Sequence, residues 1–205
     1  MGLTPVRSGD VATVVTSLEM VERPDLPEPP PSPLSLVRWP APGLTRYRDL
    51  FRRVGGPWLW YSRLAMADAD LARILENPDV QVHAVRDADA DGDVGMLELD
   101  FREPDSCELS YVGLVPGRTG KGHGRWLMAH ALRLAWRPGV RRVWVHTCTL
   151  DHPGALRFYR RSGFRPFKRT METFPDPRIL GLLPPDMGAH VPMLADPPGG
   201  APPER

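Results

Sequence analysis

The chain has only two cysteines, Cys107 and Cys148, in 205 residues. That is too few for a disulfide framework, and because the two fall in different strand-like runs, reduced buried thiols are expected. Charge of one sign is also lacking. Twenty-six Lys and Arg against 25 Asp and Glu leave a formal net charge of +1, which supplies no electrostatic drive toward nucleic acid or an anionic membrane. No apolar run approaches the roughly 20 residues of a bilayer span, and the N-terminus lacks the basic and apolar regions of a signal peptide, so a soluble cytoplasmic protein is expected. His123, His130, His146 and His152 match no zinc spacing, even with Cys148 as a soft ligand, and no metal is expected.

Proline, by contrast, is abundant, and its placement divides the chain. The 25 prolines cluster in "RPDLPEPPPSP", residues 23–33, and again from Pro175 onward. The first cluster reads as a semi-rigid polyproline connector between an alternating run at 11–21 and a short run at 34–39. The final "ADPPGGAPPER" lacks apolar side chains and should be disordered, whereas "GLLPPDMGAHVPML" has enough of them to lie on the domain as an irregular arm. With 41% hydrophobic residues one core is the default. The organisation expected is an N-terminal extension at 1–33, a domain at 34–174 and a C-terminal arm at 175–205.

Hydrophobic periodicity predicts helices at 44–54 and 68–75 and strands at 80–86, 94–102 and 107–115. A helix to about Trp136, a strand at 141–149, a helix at 153–162 and a strand at 165–174 follow, with Pro153 suited to a first helical turn and Gly163 to a helix exit. Strict alternation over 107–115 places Glu108, Val112 and Leu114 on one face of the strand, and Leu109, Tyr111 and Gly113 on the other. The fold class is α/β with a mixed sheet.

After that strand, "VPGRTGKGHGRW" turns directly into the amphipathic helix. Gly120, Gly122 and Gly124 allow positive φ and carry no Cβ, so successive backbone N–H groups can converge on phosphate oxygens, helped by the positive end of the helix. Arg118 and Lys121 supply charge. A glycine turn alone is equally compatible with a plain tight connection. No Gly-Lys-Ser/Thr ends it, which excludes the phosphate loop of ATPases, and no acidic residue follows in the dinucleotide manner.

The longer pattern narrows the choice. "LVPGRTGKGHG", "RRVWVHTCTL" and "HPGALRFYRRSGF" occur in the order and at the separations of the GNAT superfamily signature, which the chain resembles best over 80–168. Two positions depart from it: Thr119 stands where Gln or Arg is usual, and His152 where Asn is usual. The resemblance implies a sheet whose two central parallel strands splay apart, with flanking helices, and acetyl-CoA as co-substrate without a metal. It implies that the strand edge at Val112, Gly113 and Leu114 meets the pantetheine. The phosphates would fall to Arg118, Gly120, Lys121, Gly122, His123, Gly124 and Arg125, with His152 as a further cofactor contact.

It also implies direct attack of a primary amine on the thioester in a ternary complex, with Tyr159 near the sulfur as proton donor. Glu108 is the first candidate base; Glu98 and water relayed by carbonyls are alternatives, while Thr147, where other members carry a glutamate, cannot serve. On the acceptor side the loop "VGGPWLWYSRLAM" offers Trp58 and Trp60, which an extended loop would aim alike, with Leu59 and Tyr61 opposite. Packing under the Pro-rich arms accounts for these aromatics equally well. The acceptor's identity and a homodimer stay open, as does a non-catalytic acetyl-CoA sensor or interaction module.

Overall fold

The computed structural model describes residues 2–26, 28–90 and 92–194; the tail expected to be disordered, 195–205, lies outside them. Seven strands form one sheet: β1 (Asp10–Met20), β2 (Leu34–Trp39), β3 (Val80–Asp87), β4 (Asp93–Asp100), β5 (Ser106–Leu114), β6 (Arg142–Cys148) and β7 (Arg165–Pro175). Their spatial order is β2-β3-β4-β5-β6-β1-β7. Every neighbouring pair is antiparallel except β5 and β6. The parallel pair needs a crossover, and the amphipathic run after the glycines supplies it as α4 (His123–Ala135).

The sheet separates two apolar layers. Leu97, Leu99, Leu109, Val143 and Val145 pack with Trp126, Leu127 and Ala131 of α4 and with Tyr159 of α5 (Ala155–Arg161). On the other face Val82, Ala84 and Met96 meet Tyr47, Leu50 and Phe51 of α1 (Leu44–Gly55) and Leu71 and Leu75 of α3 (Asp68–Leu75). Residues 55–66 are not the extended loop that alternation would require. They form a 3-10 turn at Gly56–Trp58, Leu59 in the left-handed region at φ 57°, and the short helix α2 (Ser62–Ala65).

Alternation also fails inside strands, and at β5 the failure bears on the site. In β5, Leu109 pairs with Leu99 and Tyr111 with Glu98, so Ser110 is a β-bulge with no partner on β4. The extra residue inverts the facing. Leu109, Val112 and Leu114 pack in the α4 layer and Tyr111 in the α1 layer. Glu108 therefore shares a face with Tyr111 and Gly113, not with Val112 and Leu114 as strict alternation had it.

Both Pro-rich segments bear on the fold. β1 is hydrogen-bonded between β6 and β7, far from β2 in the sheet. The connector that links them crosses α4, where Arg133 donates to the Leu26 carbonyl at 3.0 Å and to Glu28 at 2.7 Å. The arm after β7 is irregular but tied down. Arg178 is buried against Asp176 and donates to the carbonyls of Met187, Gly188 and Val191, which satisfies a stretch of backbone that no ladder serves. No helix of the described residues is long and apolar enough to cross a membrane.

Candidate active site

The parallel ladder between β5 and β6 covers only Ser106↔Arg142, Cys107↔Val143 and Glu108↔Trp144. Beyond Glu108 the strands part, and a cleft of about 410 Å³ opens between them. Val112, Gly113 and Leu114 line it from β5, His146 and Cys148 from β6, Tyr159 from α5, and Trp58, Trp60 and Tyr61 from the segment after α1. Gly113 is required by packing, since a Cβ there would lie 2.6 Å from Val54 Cγ1.

At one end of the cleft lies the glycine turn. Gly120 (φ 79°) and Gly122 (φ 85°) are both in the left-handed region, and Gly122 caps α4. A Cβ on Gly120 would meet nothing within 4 Å, so backbone conformation, and not crowding by the protein, accounts for glycine there. Lys121 and Arg125 are exposed beside the turn. Unpaired β5 edge groups, two left-handed glycines and a 13-residue helix N-terminus fit an extended thiol cofactor ending in phosphates. Arg118 is placed otherwise than the charge count suggested: its guanidinium lies 2.8 Å from Asp87, so its charge is already answered by β3. The His123 ring sits 3.3 Å from Ser32 Oγ of the connector, and Gly124 abuts Phe158. His152 accepts from the Gly154 N–H at 3.0 Å through Nδ1, which leaves Nε2 for a ligand.

The opposite end is built from side chains. Trp60 packs on Phe51 and Tyr111 at centroid distances of 5.6 and 5.2 Å. A Cβ on Gly55 would lie 2.2 Å from the Trp60 ring, so that glycine makes room for the indole. Trp58 stands edge-on to His152 and tilted to His190. Left-handed Leu59 turns inward onto Gly188 of the C-terminal arm, while Met187 and Leu183 of the arm back Gly56. Tyr61 stacks on Phe174 at 4.3 Å and donates to Glu172 at 3.3 Å; burial first, then Glu172, pushes its phenol up to about 12. Both tryptophans line the cleft, together with Leu59 and Tyr61.

Sequence reasoning missed Asp151. In the turn after β6 its carboxylate accepts from Thr147 Oγ1 (2.7 Å), the Cys148 N–H (2.9 Å) and Trp60 Nε1 (3.0 Å), and so links the loop before α5 to the aromatic wall. An Asp followed by Pro and Gly two and three positions on signals a turn, but nothing local marks Trp60 as its partner.

Among the titratable groups, Tyr159 is buried, its phenol raised by burial and secondarily by Asp151, and its hydroxyl has no hydrogen-bond partner among the described residues. It stays a proton donor over the neutral range. Glu108 Oε1 lies 3.3 Å from His146 Nδ1. That hydrogen bond, with further help from the charges of Glu108, Asp151 and Glu172, raises the imidazole above the usual histidine value against the opposing effect of burial. Glu98 is fully buried, 2.5 Å from Arg63 and hydrogen-bonded by the Tyr47 hydroxyl; it ties α1 and α2 to β4 and has no path to a substrate. Burial raises both thiols, Cys107 strongly, which makes them poor nucleophiles.

Comparison with known proteins agrees with this geometry. The chain is 40% identical over 53 residues to a streptothricin acetyltransferase of Streptomyces lavendulae, a match that covers 26% of this chain and 28% of that protein. A GCN5-related N-acetyltransferase from Sphaerobacter thermophilus superposes with a TM-score of 0.54 at 18% identity, over 82% of this chain and 52% of that one. Another from Kribbella flavida gives a TM-score of 0.52 at 19% identity, over 82% and 60%. The chain thus spans about half to three fifths of the length of these structures, and at such identities they share its fold. A sequence model of the acetyltransferase (GNAT) family matches residues 45–164, more than half of the chain, and the protein belongs to that family.

Proposed function

We propose that the chain is an N-acetyltransferase that moves an acetyl group from acetyl-CoA to a primary amine by direct attack. The observation that carries this reading is the early end of the parallel ladder at Glu108 and Trp144, which opens one cleft toward the glycine turn, Tyr159 and the aromatic wall together. Val112, Gly113, Leu114 and His152 would hold the cofactor's arm. Its phosphates would fall to backbone N–H groups at Gly120, Gly122 and Gly124, with Lys121 and Arg125 as the exposed cations; Arg118, engaged by Asp87, contributes less. When bound, acetyl-CoA supplies an activated acyl carbon and a thiolate leaving group.

The protein's part is orientation and proton management. A backbone N–H on the free β5 edge would polarise the acyl carbonyl oxygen, Tyr159 would supply a proton to the departing sulfur, and Glu108 with His146 would form the basic end of the cleft. Trp58 and Trp60 form the acceptor wall. The match to a streptothricin acetyltransferase supports including streptothricin among the acceptors tried.

The test is thiol release from acetyl-CoA against a panel of small amines, amino acids, peptides and streptothricin. Turnover with at least one amine is expected, and Tyr159→Phe, which keeps the ring and loses only the hydroxyl, should reduce it about 10²-fold with little change in cofactor affinity. Tight acetyl-CoA binding without release for any amine would favour a sensor over an enzyme.

A further inference from the structure

We propose that His146 and Glu108 act as a base dyad: His146 Nε2 takes the proton that the acceptor ammonium must lose, and Glu108 is a positioning residue that fixes the imidazole. This rests on the acetyltransferase reading above and assigns the proton acceptor within it.

The placement follows from the sheet. Glu108 is the last β5 residue in register with β6, opposite Trp144, and His146 is the next β6 residue on the same face, just where the strands have parted. The bulge at Ser110 keeps Glu108 on the side of Tyr111 and the aromatic wall, so the pair stands on the acceptor side of the cleft. The Glu108 side chain is 22% exposed and the His146 side chain 47%, which makes the imidazole the more reachable member. With Nδ1 3.3 Å from Glu108 Oε1, the neutral tautomer that carries its proton on Nδ1 faces the carboxylate and leaves the Nε2 lone pair without a partner among the described residues.

The other candidates are spent. Glu98 is enclosed by Arg63 and Tyr47, Asp151 takes three donors, and the Tyr111 hydroxyl is held by Ser62 at 2.5 Å. Glu172 accepts from Tyr61.

The charges facing His146 come from four places. Glu108 lies on β5, Asp151 in the loop after β6, and Glu172 on β7; Lys168 of β7 stands in the row His146, Ser17, Lys168 across β1. Arg142, lower on β6, is occupied by Glu19 at 2.7 Å. The three carboxylates favour the imidazolium, so the dyad is a stronger base than a free histidine but is protonated at higher pH.

The proton count closes. Of the ammonium's three protons, one passes to His146 and then to solvent before the freed nitrogen attacks the acyl carbon. As the carbon–nitrogen bond forms and the carbon–sulfur bond breaks, a second replaces the proton that Tyr159 gives to sulfur. The third stays on the amide.

The test combines an NMR titration of the His146 ring in the full chain without ligand and pH profiles of kcat and kcat/KM for wild type, His146→Gln and Glu108→Gln. In wild type the ring should titrate above the ordinary value of about 6.5, and in Glu108→Gln at lower pH than in wild type. The acid limb of kcat/KM should lie at that raised value, since activity falls as protonation removes the Nε2 lone pair. His146→Gln should erase the limb and reduce kcat about 10²-fold with KM for acetyl-CoA little changed. Glu108→Gln should move the limb to lower pH and cost about tenfold or less.

A loss in Glu108→Gln equal to or greater than that in His146→Gln, or an unaltered limb in His146→Gln, overturns the proposal. Absence of thiol release from wild type with any amine would overturn the acetyltransferase reading, and this role with it, even if the NMR titration showed the pairing intact.

Discussion

The cleft reaches the turn at 116–122 through Thr119, beside a stretch of backbone with Gly120 and Gly122 in left-handed conformations and Lys121 and Arg125 exposed. Where it meets residues 55–61 its wall is side chain: Trp58, Leu59, Trp60 and Tyr61, each set by a named neighbour. A backbone wall suits a ligand whose phosphates are invariant, since N–H groups recognise them whatever side chains surround the turn. A side-chain wall suits a ligand that varies between proteins, but it must be held rigid from behind. Here the support is the Glu98, Arg63 and Tyr47 cluster beneath α1 and α2, and the arm pinned by Arg178 and Asp176.

The comparison breaks most sharply on stability. Arg63→Met strips Glu98 of its cation and leaves a buried carboxylate unpaired, which costs about 3–5 kcal/mol for a buried pair. Lys121→Ala at the turn should stay within about 0.5 kcal/mol, as exposed substitutions usually do. Urea unfolding of the two variants checks both values; similar losses would mean that the ends of the cleft are not differently built.

Within the aromatic wall the two tryptophans should divide. Trp60 fills the space left by Gly55, touches Phe51 and Tyr111 and donates to Asp151, so Trp60→Ala should cost about 3 kcal/mol by emptying that site. Among the described residues the Trp58 ring meets only the rings of His152 and His190, and Trp58→Ala should instead change kcat/KM for the amine about tenfold while acetyl-CoA affinity holds. Thermal melts and acceptor kinetics on both variants separate the roles. Acceptor kinetics unchanged in Trp58→Ala would move the pocket elsewhere.

The same division decided what could be read from the chain. The helix Asp68–Leu75 and the order of strands from 80 onward follow from periodicity and turn residues, which are local signals. The family pattern over 114–164 is likewise continuous in sequence, as are the glycine turn and Tyr159. What could not be read depends on contacts between distant segments. Alternation marks β1 as a strand but not its seat between β6 and β7. Ser110 has no local mark of a bulge, so the side on which Glu108 emerges was inverted. Arg118 finds Asp87 across 31 positions, and Trp60 finds Asp151 across 91. The extended reading of 55–61 failed because Leu59 adopts a conformation that its residue type disfavours, offset by burial against Gly188.

The most direct measurement is calorimetric titration of CoA into wild type and Gly122→Val, with a melt of each. Valine at φ 85° is strained by about 1–2 kcal/mol, so a lowered melting temperature with a folded chain is expected. If the turn's backbone holds the cofactor, Gly122→Val should bind CoA at least about tenfold more weakly, a loss of about 1.4 kcal/mol or more. Equal affinity in the two proteins would contradict the account.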